Sequence, residues 1–303
     1  MIALFLAIVT ALFFPGIIIR VKSIVSGRKG PGIFQPWKNI FVLLRKGSVF
    51  SRTTSFVFQM APVIYLATLI CAILLLPFPG MPSWFGFPAD FILLAYLLAL
   101  GKFFFIIGAL DTGSSFEGMG ANREALYSML AEPAFFILFG TLAMLTGHLS
   151  MQSVFEHFHL SGYNSVVSGM IAVYVLIQIA MIENSRMPVD DPKTHLELTM
   201  IHEVMVLDNS GFDLALIQIG TNLKFALYGN LIANILIPLN LAIPYRIVLF
   251  FGIQAVFAAS IGMMESFRAR KKMMKNPQFI VTLSSIALVG FILSLLMMYQ
   301  LIR

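Results

Sequence analysis

The stretch ENSRMPVDDPKTHLELTMIHEVMVLDNSG, from Glu183 to Gly211, is a polar interval between two long apolar runs of the chain. It holds eight charged residues, although charged residues make up only 11% of the 303-residue sequence. Hydrophobic residues account for 59% of the sequence, which is more apolar surface than a soluble domain can bury. Lipid must therefore be the solvent for most of the chain, and the quoted stretch must lie in or beside a membrane.

The rest of the sequence divides into eight apolar segments, each near the length that a helix needs to cross a bilayer. They predict an all-α polytopic membrane protein, with residues 1–303 as one integral-membrane domain and amphipathic helices in its cytoplasmic loops. The sixth segment is the least regular, because Asp213, Asn222 and Lys224 interrupt its first half. The segments are Met1–Ile19, Phe56–Leu76, Phe91–Leu110, Pro133–Leu149, Val166–Ile182, Phe212–Ile237, Tyr245–Met264 and Phe279–Ile302.

The basic residues are unevenly distributed, since sixteen of the twenty Lys and Arg lie in the loops after segments 1, 3, 5 and 7. The positive-inside rule then predicts these loops in the cytoplasm and both termini on the outer side of the inner membrane. The first apolar run starts at Met1 without a basic n-region, so we expect it to remain as a membrane anchor. The basic residues flank membrane segments and form no aromatic-lined groove, which argues against a nucleic-acid partner.

The cysteine and histidine content predicts no metal or cofactor site in this chain. Cys71 is the sole cysteine, which excludes a disulfide framework and a cysteine-ligated zinc or iron–sulfur site. His202-Glu203 does not continue as the His-Glu-x-x-His motif of zinc proteases, and a site at His157-x-His159 would need further ligands. If electrons move in this system, a partner carries them.

Within the quoted stretch, the spacing of charges and prolines predicts two helices. Glu183 and Arg186 are three residues apart, close enough to pair if the first helix continues that far. Pro188 should end that helix, and Asp191-Pro192 is typical of a cap that opens a second one. On the second helix, the polar face would carry His195, Thr199 and His202, with Glu203 beside it. Leu196, Met200 and the run Val204–Leu207 give this helix apolar surface, so we expect it to lie at the membrane interface or to re-enter the membrane. The alternative interpretation is a surface amphipathic helix with solvated charges.

The carboxylates are as concentrated as the cations, with eleven of the fourteen acids in or beside the third and fifth loops. An ionised carboxylate near hydrocarbon is costly, so acids at the ends of membrane segments indicate a hydrated interior path or paired charges. For each acid, a structural salt bridge remains as good an interpretation as direct proton carriage. Lys102 and Lys224 lie inside apolar segments, where snorkelling to an interface or another structural role is favoured over membership of a relay.

Four regions together resemble the subunit 1 family of respiratory complex I, which contributes the quinone chamber. ENSRMPVDDP…LEL resembles that family's Glu-x-x-Arg-x-Pro-Phe-Asp-x-Pro…Glu-Leu signature. Gly27–Gly47 resembles its first cytoplasmic loop with an amphipathic helix, Ala61–Leu66 the start of its second helix, and Gly118–Phe136 its third loop. ALDTGSSFEGMGANRE and DDPKTHLELTMIHE are most similar to the formate hydrogenlyase subunit 4 and hydrogenase-4 component C branch, in group 4 [NiFe] hydrogenases. Asp208-Asn209 departs from that branch, which usually has Glu-Tyr there.

The resemblance implies a subunit without a cofactor or catalytic residues of its own, which couples a peripheral redox arm to ion translocation. The implied partners are hydrogenase large and small subunits that carry the Ni–Fe centre and iron–sulfur clusters, and antiporter-like membrane subunits. The implied proton relay is Glu132, Glu183, Asp190, Glu197, Glu203 and Asp208, joined by Asp111. Arg123 and Arg186 would tune the charges of this relay. Docking to the arm or to a partner would use Arg28, Lys29, Gln35, Trp37, His195 and His202.

Two other functions fit parts of the sequence. The first is the quinone-site membrane component of a respiratory complex I, an NADH:quinone oxidoreductase, against which the hydrogenase-like loop sequences argue. The second is a stand-alone ion transporter or channel, a class that often shows internal repeats. No repeat is apparent in this sequence, and its long polar loops are typical of docking surfaces.

Overall fold

The computed structural model describes residues 2–158, 160, 162–190, 200–268 and 273–298. In these ranges the chain is helical without any β-strand, which confirms the predicted all-α fold. A 3-10 turn lies at Met273–Lys275, before the last helix. The α-helices are α1 (Ile2–Val25), α2 (Gln35–Leu44), α3 (Phe56–Leu75), α4 (Asp90–Asp111), α5 (Ser115–Thr146), α6 (Met151–His157), α7 (Tyr163–Glu183), α8 (His202–Met205), α9 (Gly211–Leu236), α10 (Ile243–Phe267) and α11 (Asn276–Met298).

Seven helices of the described chain are long and apolar enough to cross a membrane, namely α1, α3, α4, α5, α7, α10 and α11. The sixth predicted segment also forms a long helix, α9, but its polar residues keep it out of this group. Twenty of the 26 residues of α9 are buried, because α1, α2, α3, α7 and α10 pack around it. The polar residues of α9 are thus shielded from lipid by the surrounding helices, as expected of intramembrane polar groups.

Aromatic packing fixes α9 at the centre of the bundle. Phe14 of α1 stacks on Phe225 of α9 with ring centroids 5.1 Å apart. Phe257 of α10 meets the Phe14 ring edge-on at 5.3 Å. Such aromatic pairs contribute about 0.5–1.5 kcal/mol each beyond the area they bury. Helices α1, α9 and α10 therefore meet at one buried aromatic cluster, next to Lys224 in α9.

The bundle has two distinct ends. At one end Val25, Asp111 and Glu183 finish their helices, and the basic loops gather there, so we name it the basic end. The side chain of Asp111 accepts hydrogen bonds from the backbone N–H (2.6 Å) and hydroxyl (2.8 Å) of Ser55 just before α3. At the opposite end, Asp90 accepts a hydrogen bond of 2.7 Å from the backbone N–H of Met151. Capping carboxylates therefore join neighbouring helices at both ends.

The fourth predicted segment began too late. Helix α5 starts at Ser115 rather than at Pro133, so the predicted third loop is helical. Pro133 lies inside α5 without ending it, since neighbouring helices in a membrane bundle can tolerate the lost backbone hydrogen bond. The longer helix carries the polar residues of that predicted loop into the bundle.

The segment after α7 differs most from its prediction. Helix α7 ends at Glu183, and residues 184–190 continue as non-helical, mostly buried chain. Residues 191–199, including the predicted cap at Asp191 and the predicted helix face at His195, lie outside the described residues. Met200 and Ile201 are not helical and α8 begins only at His202, so the continuous helix predicted through these positions is wrong.

The segment around α8, residues 200–210, which we name the α8 segment, packs closely on α5. A side chain at Gly120 would place its Cβ 2.8 Å from the carbonyl oxygen of Ile201 and 3.0 Å from Cγ of Met205. Only glycine lets α5 approach α8 this closely. Non-helical backbone at membrane depth is tolerated where protein buries it or where it lines a hydrated cavity.

The amphipathic helix expected in the first loop is α2. Ile40 of this helix is buried, whereas Phe41 and Val42 on its other side are exposed. Its Trp37 indole N–H donates to the carbonyl of Ala11 at 3.3 Å, which ties α2 to α1. Helix α2 also contacts α9, so it covers the central helix near the basic end.

Candidate functional site

Four charged side chains from four helices meet in a buried charge network. Lys102 of α4 lies 3.0 Å from a carboxylate oxygen of Glu124 on α5 and 2.9 Å from one of Glu183 on α7. The second carboxylate oxygen of Glu183 lies 2.9 Å from the ammonium of Lys224 on α9. At most 10% of each of these side chains is exposed. The network is therefore an alternating chain of two carboxylates and two ammonium groups.

The helices carry this network deep into the bundle. Lys102 lies nine residues before the end of α4, which corresponds to about 13 Å along the axis. Glu183 pairs with Lys102, so the end of α7 lies at this depth and not at the level where α4 ends. Lys224 donates to the backbone carbonyl of Glu183 at 2.9 Å. Lys102 and Lys224 do not snorkel to an interface, because both are ion-paired inside the bundle. These pairs agree with the structural role that the sequence interpretation favoured.

Hydroxyl groups complete the network. Ser185 donates a hydrogen bond of 3.1 Å to the free oxygen of Glu124, and Ser128 donates one of 3.4 Å to Glu183. A buried ion needs both charge pairing and hydrogen bonds to offset the several kcal/mol lost on leaving water. The balance of two positive and two negative charges meets that need. A proton gained or lost by any member would leave the cluster charged, and this is the property a coupling site needs.

A second ion-pair cluster lies nearer the basic end. Glu265 of α10 accepts a hydrogen bond of 2.8 Å from Lys22 of α1 and one of 3.3 Å from Arg186. The Arg186 guanidinium also lies over the Phe225 ring, 5.2 Å from its centroid. The predicted pair between Glu183 and Arg186 is therefore wrong. Glu183 ends its helix and turns to the two lysines, while Arg186 follows in the loop and turns to α10.

A vestibule of about 450 Å³ leads from the basic end towards the network. Its wall is rich in neutral polar side chains, among them Gln35, Asn184, Ser185, Gln218 and Thr221. Arg186, His202 and Glu203 also line it. Ser185 belongs both to this wall and to the network, because its hydroxyl donates to Glu124. A space this large and polar can hold water beside Ser185.

Glu132 lies on the other side of the network, in the middle of a membrane-spanning helix. A narrow cleft of about 40 Å³ is lined by Glu132, Ser128, Glu183 and Tyr228 among otherwise apolar side chains. Glu132 is exposed on the surface of the described chain. A carboxylate facing lipid costs about 2.5–3.5 kcal/mol on insertion scales, so this position favours a polar neighbour outside the chain.

Three further predicted relay acids lie in the α8 segment or bind to it. Asp190 is buried, and one of its oxygens accepts from the backbone N–H groups of Ile201 and His202, both at 3.1 Å. Asp190 thus caps α8. Glu203 lines the vestibule, and Asp208 is exposed. The backbone N–H of Asp208 donates at 3.1 Å to Glu117, a fully buried acid that the sequence interpretation did not include in the relay.

The remaining predicted residues are spread over the basic end. Asp111 caps α3 and stands apart from the network, and Arg123 donates to the backbone carbonyl of Met200 at 3.3 Å. The exposed predicted docking residues are Arg28, Lys29 and Gln35. Trp37 is instead occupied by its hydrogen bond to α1. Glu197 and His195 lie outside the described residues.

His202 borders both the vestibule and the network. Its ring centroid lies 5.2 Å from that of Phe105. Burial lowers the pKa of His202 to about 4, and the cations Lys224, Lys102 and Arg186 lower it further against the opposing effect of Glu124. His202 is therefore neutral at physiological pH. A neutral imidazole can accept or donate a hydrogen bond at the inner limit of the vestibule.

Sequence reasoning did not assign three charged members of the two clusters, Glu124, Lys22 and Glu265, to a site. It noted Lys102 and Lys224 but did not place them in the candidate site. The available signal was charge inside or beside apolar segments, because an ionisable residue at membrane depth almost always has a partner or a function. What the sequence could not supply was the partner, since Lys22 and Glu265 are 243 residues apart.

The described residues hold no group of three or more His, Cys, Asp or Glu side chains placed to bind one metal ion. His148 and His157 are in ring contact, with centroids 4.1 Å apart. The Nδ1 atom of His157 is within 2.9 Å of the Ser153 carbonyl. His159, the other residue of the motif, lies outside the described part of the chain.

Comparison with known proteins places this site in a family. The family described as NADH dehydrogenase matches residues 1–296, which is nearly the whole chain. The chain belongs to the NADH dehydrogenase family. The resemblance to complex I subunit 1 noted in the sequence is therefore confirmed, and the buried charge network is a feature of a member of this family.

Curated relatives come from two branches of the NADH dehydrogenase family. The chain is 30% identical over 240 residues to hydrogenase-4 component C of Escherichia coli K12, covering 79% of this chain and 75% of that one. It is 26% identical over 223 residues to formate hydrogenlyase subunit 4 of the same strain, covering 74% and 72%. A subunit of the NADH-quinone oxidoreductase of Salinibacter ruber is 24% identical over 190 residues, covering 59% and 55%.

A solved structure shares the fold. The membrane-bound sulfane sulfur reductase, described as an archaeal respiratory membrane complex, contains a chain that superposes with a TM-score of 0.81. The superposition covers 96% of each chain at 17% sequence identity. At that identity the likeness shows a common fold. The relatives and this neighbour are subunits of membrane complexes, and the apolar helices make this chain a multi-pass membrane protein.

Proposed function

We propose that this chain is the membrane-anchoring and proton-coupling subunit of a group 4 [NiFe]-hydrogenase complex of the hydrogenase-4 or formate hydrogenlyase type. Its basic end faces the cytoplasm and carries the hydrogenase large and small subunits. Those two proteins hold the Ni–Fe centre and the iron–sulfur clusters, and this chain holds neither. Antiporter-like membrane subunits adjoin the chain within the inner membrane. The relatives from Escherichia coli, which have hydrogenase-4 and formate hydrogenlyase in their names, support this choice of branch.

The observation that carries the proposal is the position of the charge network between two openings. The vestibule reaches it from the basic end through Ser185, and the cleft leads from Glu183 towards Glu132 on the surface. A change of charge at the vestibule alters the electrostatic balance of four paired groups in a low-dielectric interior. Protonation of Glu124 would weaken its hold on Lys102, which would then pair more strongly with Glu183.

The direction of coupling follows from this arrangement. Electron transfer in the arm changes charge beside the vestibule, where Glu203 and Arg186 line the wall, and Asp190 holds the backbone of His202 next to them. The response passes through Glu124, Lys102 and Glu183 to the cleft. From Glu132 it reaches the adjoining membrane subunit, where the ion is moved. Proton is the coupling ion in this scheme, because the network consists of titratable groups.

The first experiment measures nickel in the complex purified in mild detergent through a tag on this chain. Stoichiometric nickel with iron is the result expected for a hydrogenase arm. Iron without nickel in an intact complex would overturn the branch assignment and favour the quinone-linked function of the complex I branch. Purification of the chain alone from intact membranes, without either metal, would instead favour a stand-alone transporter.

The second experiment tests the coupling role directly. Glu183→Gln removes one carboxylate charge from the network while keeping its size, so proton translocation per turnover should fall below about a tenth of wild type. Hydrogenase activity with an artificial electron carrier should persist in the assembled complex. Asp213→Asn is the matched control, because Asp213 is also a buried acid but lies outside the network. Normal translocation in assembled Glu183→Gln complexes would remove Glu183 from the relay.

A further inference from the structure

The half of α9 beyond Lys224 carries buried amide side chains towards the opposite end of the bundle. Asn230 and Asn234 lie on α9, and Gln254 of α10 packs against α9 where Gly229 leaves space for its amide. Each of these three amides is at most 4% exposed. An amide in this position costs free energy in an apolar bundle unless hydrogen bonds or water satisfy it. Three of them around one helix therefore need an explanation that apolar packing does not give.

Two of the amides are joined at a common backbone oxygen. Asn234 donates to the carbonyl of Pro77 at 3.0 Å and to the side-chain oxygen of Asn230 at 3.2 Å. Asn230 also donates to Pro77, at 3.4 Å. Pro77 follows α3, so this cluster lies where α3 ends. The two asparagines therefore form one hydrogen-bonded cluster at the end of the bundle opposite to the basic end.

The third amide retains unused hydrogen-bonding capacity. The side-chain nitrogen of Gln254 donates to the carbonyl of Ala226 at 3.4 Å, but its oxygen has no partner among the described residues. Gln178 of α7 is 1% exposed, and neither of its amide atoms has one within the same part of the chain. Buried polar atoms without protein partners are usually satisfied by water. Their presence on two helices indicates that water enters the interior of the bundle.

An opening at the opposite end reaches the same amides. A small cavity of about 10 Å³, enough for one water molecule, is lined by Asn234 together with Gln152 and Glu156 of α6. Gln152 donates to Glu156 at 3.0 Å, and both side chains are partly exposed. The cavity thus places a water site between the surface and Asn234. Glu156 gives its mouth a negative charge, which attracts protons.

Two leucines lie between Asn234 and the charge network along one face of α9. Lys224, Leu227, Leu231 and Asn234 follow the i, i+3, i+7, i+10 spacing of one helix face. Leu227 and Leu231 are fully buried. The distance from Lys224 to Asn234 is about 15 Å along the helix, and the two leucines occupy its middle.

We propose that the outer half of α9 forms a hydrated half-channel, which opens at Glu156 and ends at the leucine layer formed by Leu227 and Leu231. Its ligand is water with an exchangeable proton. The chain would then hold its own access to the opposite side of the membrane, in addition to the lateral route through Glu132. This goes beyond the proposed function, which passes protons to partner subunits.

The half-channel is tested by cysteine accessibility in a Cys71→Ser background, in membrane vesicles that hold the assembled complex. Asn234→Cys and Asn230→Cys should react with a membrane-impermeant methanethiosulfonate ammonium reagent added at the opposite end. Ala233→Cys and Ile235→Cys are the matched controls, because these buried apolar neighbours lie outside the half-channel. We expect modification about ten-fold faster at the asparagine positions, since a thiol reacts as the hydrated thiolate. Equal rates at all four positions, or reaction from the basic end alone, would overturn the proposal.

A second experiment tests whether the leucine layer is a barrier to protons. Leu231→Asn would bridge the amides and the charge network with a polar side chain, so vesicles with this variant should lose an imposed pH gradient several-fold faster. Leu231→Met is the control, because it keeps an apolar side chain of similar volume. If assembled Leu231→Asn complexes lose the pH gradient at the wild-type rate, Leu231 is not part of a proton barrier. Neither assay needs turnover, so a failure of the coupling proposal at Glu183 would leave both results readable.

Discussion

At the scale of single residues, the charge network is stable only as a whole. Each carboxylate and each ammonium group has been removed from water, and its pairing offsets most of that cost. Removal of one member of a buried pair typically costs about 3–5 kcal/mol, because it leaves a charge without compensation. Removal of an adjacent cation and anion together leaves no such charge. The network therefore predicts strong non-additivity between its members.

The pair Lys224 and Glu183 tests this non-additivity. Lys224→Met and Glu183→Gln should each lower the apparent melting temperature of the purified protein. The double variant should be less destabilised than the sum of the two by about 1–3 kcal/mol, because Lys102 keeps Glu124 as its partner. Lys224→Met combined with Asp213→Asn is the control and should be additive. Additive effects for Lys224 and Glu183 would contradict their direct pairing.

His202 predicts a dependence of stability on pH. Its folded-state pKa of about 4 is below the ordinary value of 6.5, so between these values the unfolded chain binds the extra proton. The folded state should therefore lose stability as the pH falls from 6.5 towards 4, by about 2–3 kcal/mol from this residue. Thermal unfolding of wild type and His202→Gln across this range measures it. Parallel pH profiles for the two proteins would show that His202 is not kept neutral by burial.

At the scale of elements, the close approach of α5 and α8 depends on one glycine. Gly120→Ala would push a methyl group against the backbone of Ile201, so we expect a loss of about 1–3 kcal/mol. Gly140→Ala is a matched change in the same helix, because a methyl group there meets no atom within 4 Å. It should be neutral or stabilising by up to about 1 kcal/mol, since alanine favours helix. The melting temperatures of the two variants and of the wild type measure these effects. Equal changes for Gly120→Ala and Gly140→Ala would show that close packing at Gly120 does not matter for stability.

The elements also show what sequence reasoning could reach. The long apolar runs predicted the membrane helices, and Phe212–Ile237 was found as a helix despite its polar residues. The start of α5 was misplaced because Pro133 normally opens a helix, whereas the surrounding bundle accommodates it within one. The end of α7 at Glu183 came before Pro188, so the proline rule gave the right type of break three or four residues late.

The site was harder to predict than the fold for a physical reason. An acid in a loop motif is visible in sequence, but its role depends on what the folded chain brings beside it. Asp190 and Asp111 were both proposed as relay acids, and their oxygens accept backbone N–H groups as helix caps. Lys102 and Lys224 gave no local motif, because their partners come from helices far away in the chain.

At the scale of the whole molecule, polar groups are arranged from the inside outwards. The central helix α9 carries the most buried polar side chains, and the surrounding helices expose apolar ones such as Val256 and Val289. This is the arrangement of a membrane protein whose interior handles charge. Glu132 is the departure, because it is exposed at the middle of a membrane-spanning helix. In the described part of the chain, Glu132 therefore places an exposed carboxylate on a helix whose neighbours are suited to lipid.

Glu132 predicts where the membrane partner binds. If an antiporter-like subunit covers this face, a photo-crosslinking amino acid at position 132 should form an adduct with another membrane subunit in the assembled complex. Position 256, exposed on α10, is the control and should give mainly lipid adducts. Glu132→Gln should assemble normally and lose proton translocation, because an amide can fill the contact without carrying the proton. Adducts with lipid alone at position 132, in a complex shown to be intact, would mean that Glu132 faces the bilayer and that the charge network discharges by another route.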